Sequence, residues 1–337
     1  MTGSMRVVFA SMLLTGLVVG RASADQAAQP APPGVVWQQT ITHEGLREAI
    51  GVAVSGRGLF VTDPKGSAVW RFDTGGGFIG RWPAEGSGIE LGRPMHPAVD
   101  AEVRLYVPDS LNDTVTVFDK DGSEALVFGE HGDGPGRFDS PSGVAVADDG
   151  SIYVSDFNHH RVQRFDAEGR FLHAWGKEGH GEGEFYYPTD LAIGPDGRVF
   201  VADAYNNRVQ VFTPEGGYLS SWGRQGNAPG EFQVAVGIAV DRDGRVYVAD
   251  QFNHRIQVFT AEGRFLTGWG KPGTDAGEFD RPNDIAIGGD DRVYVADFGN
   301  SRVQVFSLRK ASTQPDRPTS TQPDRPASTQ PDRSTSP

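Results

Sequence analysis

Residues Ser151–Phe165 read SIYVSDFNHHRVQRF: an apolar run closed by an acidic residue, a short polar loop, then a second alternating run opened by an arginine. The arrangement returns as RVFVADAYNNRVQVF (Arg198–Phe212), RVYVADQFNHRIQVF (Arg245–Phe259) and RVYVADFGNSRVQVF (Arg292–Phe306). Two worn copies precede these, RLYVPDSLNDTVTVF (Arg104–Phe118) and GLFVTDPKGSAVWRF (Gly58–Phe72). The acidic residue sets the register at Asp63, Asp109, Asp156, Asp203, Asp250 and Asp297, in steps of 46 and then four times 47 residues. A fixed period of this size marks a repeat architecture.

Outward from the quoted stretch, one full unit reads as four strands. In the fourth copy these are Asp190–Ile193, Val199–Ala202, Arg208–Phe212 and Tyr218–Trp222, separated by Pro195-Asp196-Gly197, the loop Asp203–Asn207, and Pro214–Gly217. Period-two runs divided by Gly, Pro, Asp and Asn are strands joined by tight turns. Four antiparallel strands make a blade, and six such units predict an all-β, six-bladed propeller over residues 35–308. The first strand of each good unit holds a central alanine (Ala145, Ala192, Ala239, Ala286), as expected where strands crowd an axis. Phe165, Phe212, Phe259 and Phe306, with Trp175, Trp222 and Trp269, are expected to fill the wedges between blades.

The sixth unit runs out before its fourth strand: 19 residues past Asp297, where the other units place an aromatic, stands Asp316 in a polar tail. Upstream, Val35–Ile41 (VVWQQTI) is unassigned, and Trp37 lies 14 residues before Gly51 just as Trp82 lies 14 before His96. The N-terminal segment is therefore expected to supply the missing strand, with Trp37 at the aromatic position, and to close the ring.

Residues 1–24 have the form of a secretory signal, with Arg6, an apolar stretch Val7–Gly20 and Ala22-Ser23-Ala24 as the cleavage site. Removal of Arg6 and Arg21 would take the formal charge from −13 to −15. The apolar stretch is too short for a stable membrane span, so a secreted or periplasmic product with no membrane span is expected. Residues 25–34 read as a flexible lead-in, and residues 309–337, with TQPDR at Thr313, Thr321 and Thr329, as a disordered tail. No cysteine is present, which excludes disulfides and cysteine zinc modules. The negative charge argues against a nucleic-acid partner.

The repeats resemble NHL repeats, with the pattern G-x-x-G-x-G-x-G-E-F-x-x-P-x-G-I-A-V-D followed by V-Y-V-A-D-x-x-N-x-R-I-Q-V-F; residues 181–212 and 228–259 follow it closely. The first unit departs from it, with Gly66 and Ala68 where the pattern has Asn and Arg. The resemblance implies a six-bladed propeller but no single activity, since NHL propellers serve as protein- and RNA-binding platforms, as sensor domains and in a peptide-amidating lyase. That lyase holds zinc with three channel histidines. At the matching positions this chain has Met95, Ser142, Thr189, Val236 and Asn283, with His96 one place away.

Two sets of candidate site residues remain. The loops after each marker Asp lie on the face of longer connections, where binding is usual. There Phe157, His160, Tyr205, Asn207, Phe252 and His254 differ from blade to blade and would suit a protein, peptide or carbohydrate ligand. The repeated Asp/Arg pairs of these loops (Asp156 with Arg161, Asp203 with Arg208) read instead as structural, because a site usually breaks symmetry. The second set is the first inner-strand position, which runs Gly51, His96, Gly143, Asp190, Gly237, Asp284. Three ligating side chains on alternate blades would stand around the channel mouth and could hold a divalent cation. The plain reading of that column is turn geometry. No other cofactor is indicated. The expected function is a secreted, monomeric, non-catalytic binding scaffold, and the alternative is a metal-dependent lyase or hydrolase with its site in the channel.

Overall fold

The computed structural model describes residues 34–308; the expected signal peptide, nearly all of the lead-in and the tail lie outside the described residues. The chain forms six four-stranded antiparallel sheets. Blade one is β2 (Gly51–Ser55), β3 (Gly58–Asp63), β4 (Ala68–Phe72) and β5 (Phe78–Trp82), and blade two is β6 (Ala98–Val99), β7 (Leu105–Asp109), β8 (Thr114–Phe118) and β9 (Glu124–Phe128). Blade three is β10 (Pro141–Val146), β11 (Ile152–Asp156), β12 (Arg161–Phe165) and β13 (Phe171–Trp175), and blade four is β14 (Pro188–Ile193), β15 (Val199–Asp203), β16 (Arg208–Phe212) and β17 (Tyr218–Trp222). Blade five is β18 (Ala235–Val240), β19 (Val246–Asp250), β20 (Arg255–Phe259) and β21 (Phe265–Trp269). Blade six joins β22 (Pro282–Ile287), β23 (Arg292–Asp297) and β24 (Arg302–Leu308) to the N-terminal β1 (Val35–Ile41). No helix among the described residues is long and apolar enough to cross a membrane.

The seams between blades are hydrophobic. Between blades three and four, Tyr153 and Val162 pack with Phe185, Leu191, Val201 and Phe212. Burial of such side chains is the main term holding one wedge to the next. The ring is closed by the N-terminal strand: β1 pairs antiparallel with β24, and Ile41, Val303 and Val305 share one cluster with Val52, Leu59 and Phe72 of blade one.

The register of β1 corrects one expectation. Trp37 pairs with Phe306 and Ile41 with Val303, with a bulge after Trp37. In blade one the corresponding pairs are Phe72 with Phe78 and Val69 with Trp82. Trp37 thus takes the place of Phe78, and Ile41 takes the seam position of Trp82. Trp37 is accordingly 42% exposed and Ile41 is 2% exposed. The count from Trp37 to Gly51 misled because the connection from β1 to β2 is four residues shorter than the one between blades one and two, measured from these seam residues (10 against 14).

The loops after each marker Asp carry a repeated network. Asp203 accepts Arg208 Nε at 2.7 Å, Asn206 Nδ2 at 2.9 Å and the Tyr186 N–H at 2.8 Å. The two Nη atoms of Arg208 donate to the carbonyls of His180, Gly181 and Glu184. Arg161, Arg255 and Arg302 do the same in their blades. The arginines therefore fasten each Gly-rich blade connection to the loop beside it, which is the structural role read from their repetition.

Candidate functional site

The loop and connection face carries the first candidate set. His160, Asn207 and His254 each adopt a left-handed conformation at the end of a short 3-10 turn, with φ of 52°, 54° and 53°. Each then accepts a backbone N–H from the next blade connection: Tyr187 to His160 Nδ1, Val234 to Asn207 Oδ1 and Arg281 to His254 Nδ1. These three side chains clasp neighbouring blades. Burial lowers the His160 pKa, since a desolvated ring disfavours charge. Phe157 is buried against Tyr187 and forms a floor. Tyr205 and Phe252 are outward, 48% and 47% exposed.

At the junction of blades three and four the structure adds residues that sequence reasoning missed. Tyr186 lies flat over His160, with centroids 5.7 Å apart and 7° between planes. Tyr187 and Tyr205 meet edge to face at 5.5 Å, and His180 lies 5.4 Å from Tyr186. The only sequence signal was Tyr186-Tyr187, where the other good units have Asp139-Ser140, Gln233-Val234 and Asp280-Arg281. It lay inside a stretch read as a connector.

The second set lies on the axis. His96, Asp190 and Asp284 come together, with one ligand atom of each within 4.8 Å of the others. All three are at most 4% exposed. The alternation in the column has a steric cause: a Cβ on Gly237 would stand 2.4 Å from the Asn283 carbonyl oxygen and 2.6 Å from Asp284 Cα, and one on Gly143 would stand 2.6 Å from Asp190 Oδ1. Only alternate blades can carry a side chain there, and each reaches across a glycine. The reach is hydrogen-bonded. Asp190 Oδ2 accepts the Ile238 N–H at 2.9 Å, Asp284 Oδ2 accepts that of Val52 at 2.8 Å, and Asp284 Oδ1 accepts that of Ile285 at 2.7 Å.

His96 Nε2 lies 2.7 Å from Asn283 Oδ1, and Nδ1 lies 3.7 Å from Asp190 Oδ2 without a hydrogen-bond partner. Burial lowers the His96 pKa, but the charge of Asp284 and the carboxylate of Asp190 facing Nδ1, with the bond to Asn283, outweigh it and lift the value to about 9. Burial, followed by the opposing charge of His96 and the like charge of Asp190, leaves the Asp284 carboxyl raised to about 7. A cavity of about 250 Å³ runs along the axis from Asp190 and Asp284 past Ala53, Ala145, Ala192, Ala239 and Ala286, so both carboxylates line it at one end.

The NHL repeat model matches residues 138–165, 185–212, 232–259 and 279–306. No curated protein matches the chain in sequence. Similar solved structures include a streptogramin B lyase, at 15% identity and TM-score 0.59, covering 82% of this chain and 98% of that one. A gluconolactonase from Xanthomonas campestris is 19% identical with TM-score 0.61, covering 83% and 99%. A virginiamycin B lyase from Staphylococcus aureus is 16% identical with TM-score 0.57, covering 80% and 98%. At such identities the likeness is one of fold. Four matched repeats, six blades and a strand from the N-terminal side closing the last of them make this chain an NHL-repeat six-bladed β-propeller.

Proposed function

We propose that the chain is an exported, monomeric, non-catalytic binding propeller that holds a peptide or carbohydrate on its loop and connection face. The observation that carries this reading is the aromatic patch of Tyr186, Tyr187 and Tyr205 over His160, which breaks the ring's symmetry at one junction. Tyrosines combine apolar area with a hydrogen-bonding tip and lose little side-chain freedom on binding. Phe252 extends the same face in the next blade, and the clasping residues His160, Asn207 and His254 hold the loops in place beneath. The acidic charge favours a neutral or cationic ligand over a nucleic acid.

A glycan and peptide array probed with the full chain tests this. Binding to a defined class of spots, weakened at least about tenfold by Tyr205→Ala together with Tyr186→Ala, is the expected result. Binding unchanged by that pair would contradict it. A second reading, a metal-dependent lyase or hydrolase working in the channel, is favoured by the convergence of His96, Asp190 and Asp284.

A further inference from the structure

We propose that His96, Asp190 and Asp284 form a site for one divalent transition-metal ion at the end of the axial channel. The proposal stands apart from the aromatic face and does not require it to bind anything. Among the described residues, two clusters bring three such side chains within 4.8 Å: this one, fully buried, and Asp113, His131 and Asp139, in which His131 is exposed. Proximity of acidic groups is common on surfaces. The buried cluster differs because one of its polar atoms has no other partner.

That atom is His96 Nδ1. The amide oxygen of Asn283 faces Nε2 at 2.7 Å, so Nε2 carries a hydrogen, and Nδ1 is the nitrogen whose proton a metal ion would displace, its lone pair then facing the carboxylates. A lone pair held beside two carboxylates is repulsive unless positive charge stands between them. With both carboxylates ionised, a proton on Nδ1 leaves the buried group with a net charge of −1, and without a metal a second proton, on a carboxylate, is needed to neutralise it. A divalent ion with neutral His96 and two ionised aspartates brings it to zero. Asn283 then has the usual role of a group that fixes the tautomer of a ligating histidine. The backbone N–H groups of Val52, Ile285 and Ile238 orient the carboxylates in the same way.

The dimensions agree with this assignment. Ligand bonds of about 2.1 Å in a tetrahedron set neighbouring donor atoms roughly 3.4 Å apart, and His96 Nδ1 and Asp190 Oδ2 are already at 3.7 Å. One imidazole with two carboxylates suits zinc or manganese better than calcium, which takes more oxygen ligands. Three protein ligands leave one position, and the channel that Asp190 and Asp284 line would supply it with water or a small ligand.

The test is calorimetric titration of the chelator-treated full chain with zinc alone at neutral pH, repeated on Asp284→Asn, Asp190→Asn and His131→Ala. Asparagine keeps an oxygen for the Ile238 N–H at position 190 and for one of the two N–H groups, Val52 or Ile285, at position 284, and circular dichroism checks that each variant retains its β spectrum. The proposal expects saturable binding that is weakened at least about tenfold by each asparagine and left unchanged by His131→Ala. Absence of binding to the wild-type chain overturns it. So does binding that survives both asparagine variants, or that disappears with His131→Ala.

Discussion

His159 shows how a loop residue is held by charge. Its Nδ1 lies 3.0 Å from Asp156 Oδ2 and its Nε2 lies 2.9 Å from Asp133 Oδ1. The bond to Asp156 raises its pKa from 6.5, against the opposing effect of burial. A histidine whose folded pKa is raised contributes stability that is complete below the unfolded value and lost as pH climbs through the folded one. Thermal unfolding of His159→Asn should therefore show a larger deficit against wild type near pH 5.5 than near pH 8.5, and equal deficits would refute the pairing. The glycine column makes a steric prediction at the same scale. Gly237→Ala forces a Cβ into backbone atoms of blade six and should cost about 1–3 kcal/mol in denaturant unfolding. The alternation of Gly with His and Asp was legible because a constant period stacks equivalent residues in one column. The bond from His96 to Asn283 was not, because it crosses the axis between blades two and six, and no spacing along the chain encodes that reach.

At the scale of the element, β1 carries the argument. Its existence and its partner could be read from a missing strand at one end and a spare one at the other. Its register could not, because it depends on the bulge after Trp37 and on the length of the connection to β2. The structure puts Ile41 in the seam and leaves Trp37 on the outer surface, so the two side chains should respond oppositely to expectation by size. Ile41→Ala should lower stability by about 2–5 kcal/mol, and Trp37→Ala by well under half of that. A larger loss at Trp37, measured by denaturant unfolding, would mean that the strand pairs in the other register. The Tyr186-Tyr187 connection was hidden for a different reason: it resembles a Gly-rich linker in sequence, and only folding brings it against the next blade's Tyr205.

At the scale of the molecule, the ring turns a linear repeat into a centre. Six inner strands bring one residue each to the axis, and sterics allow only three of those six positions to carry a side chain. In this chain the three are an imidazole and two carboxylates, buried at the end of a channel otherwise lined largely by Ala, Val, Leu and Ile. The arrangement is a property of the closed ring, since Asp284 reaches across the closing seam to the N–H of Val52. Crystals of the full chain soaked in a zinc or manganese salt, with anomalous data collected at the corresponding absorption edge, test this most directly. The account predicts one anomalous peak on the axis, about 2.0–2.2 Å from His96 Nδ1 and within bonding distance of Asp190 and Asp284. A map with no peak there, or with its peak beside Asp113 and His131 instead, would contradict it.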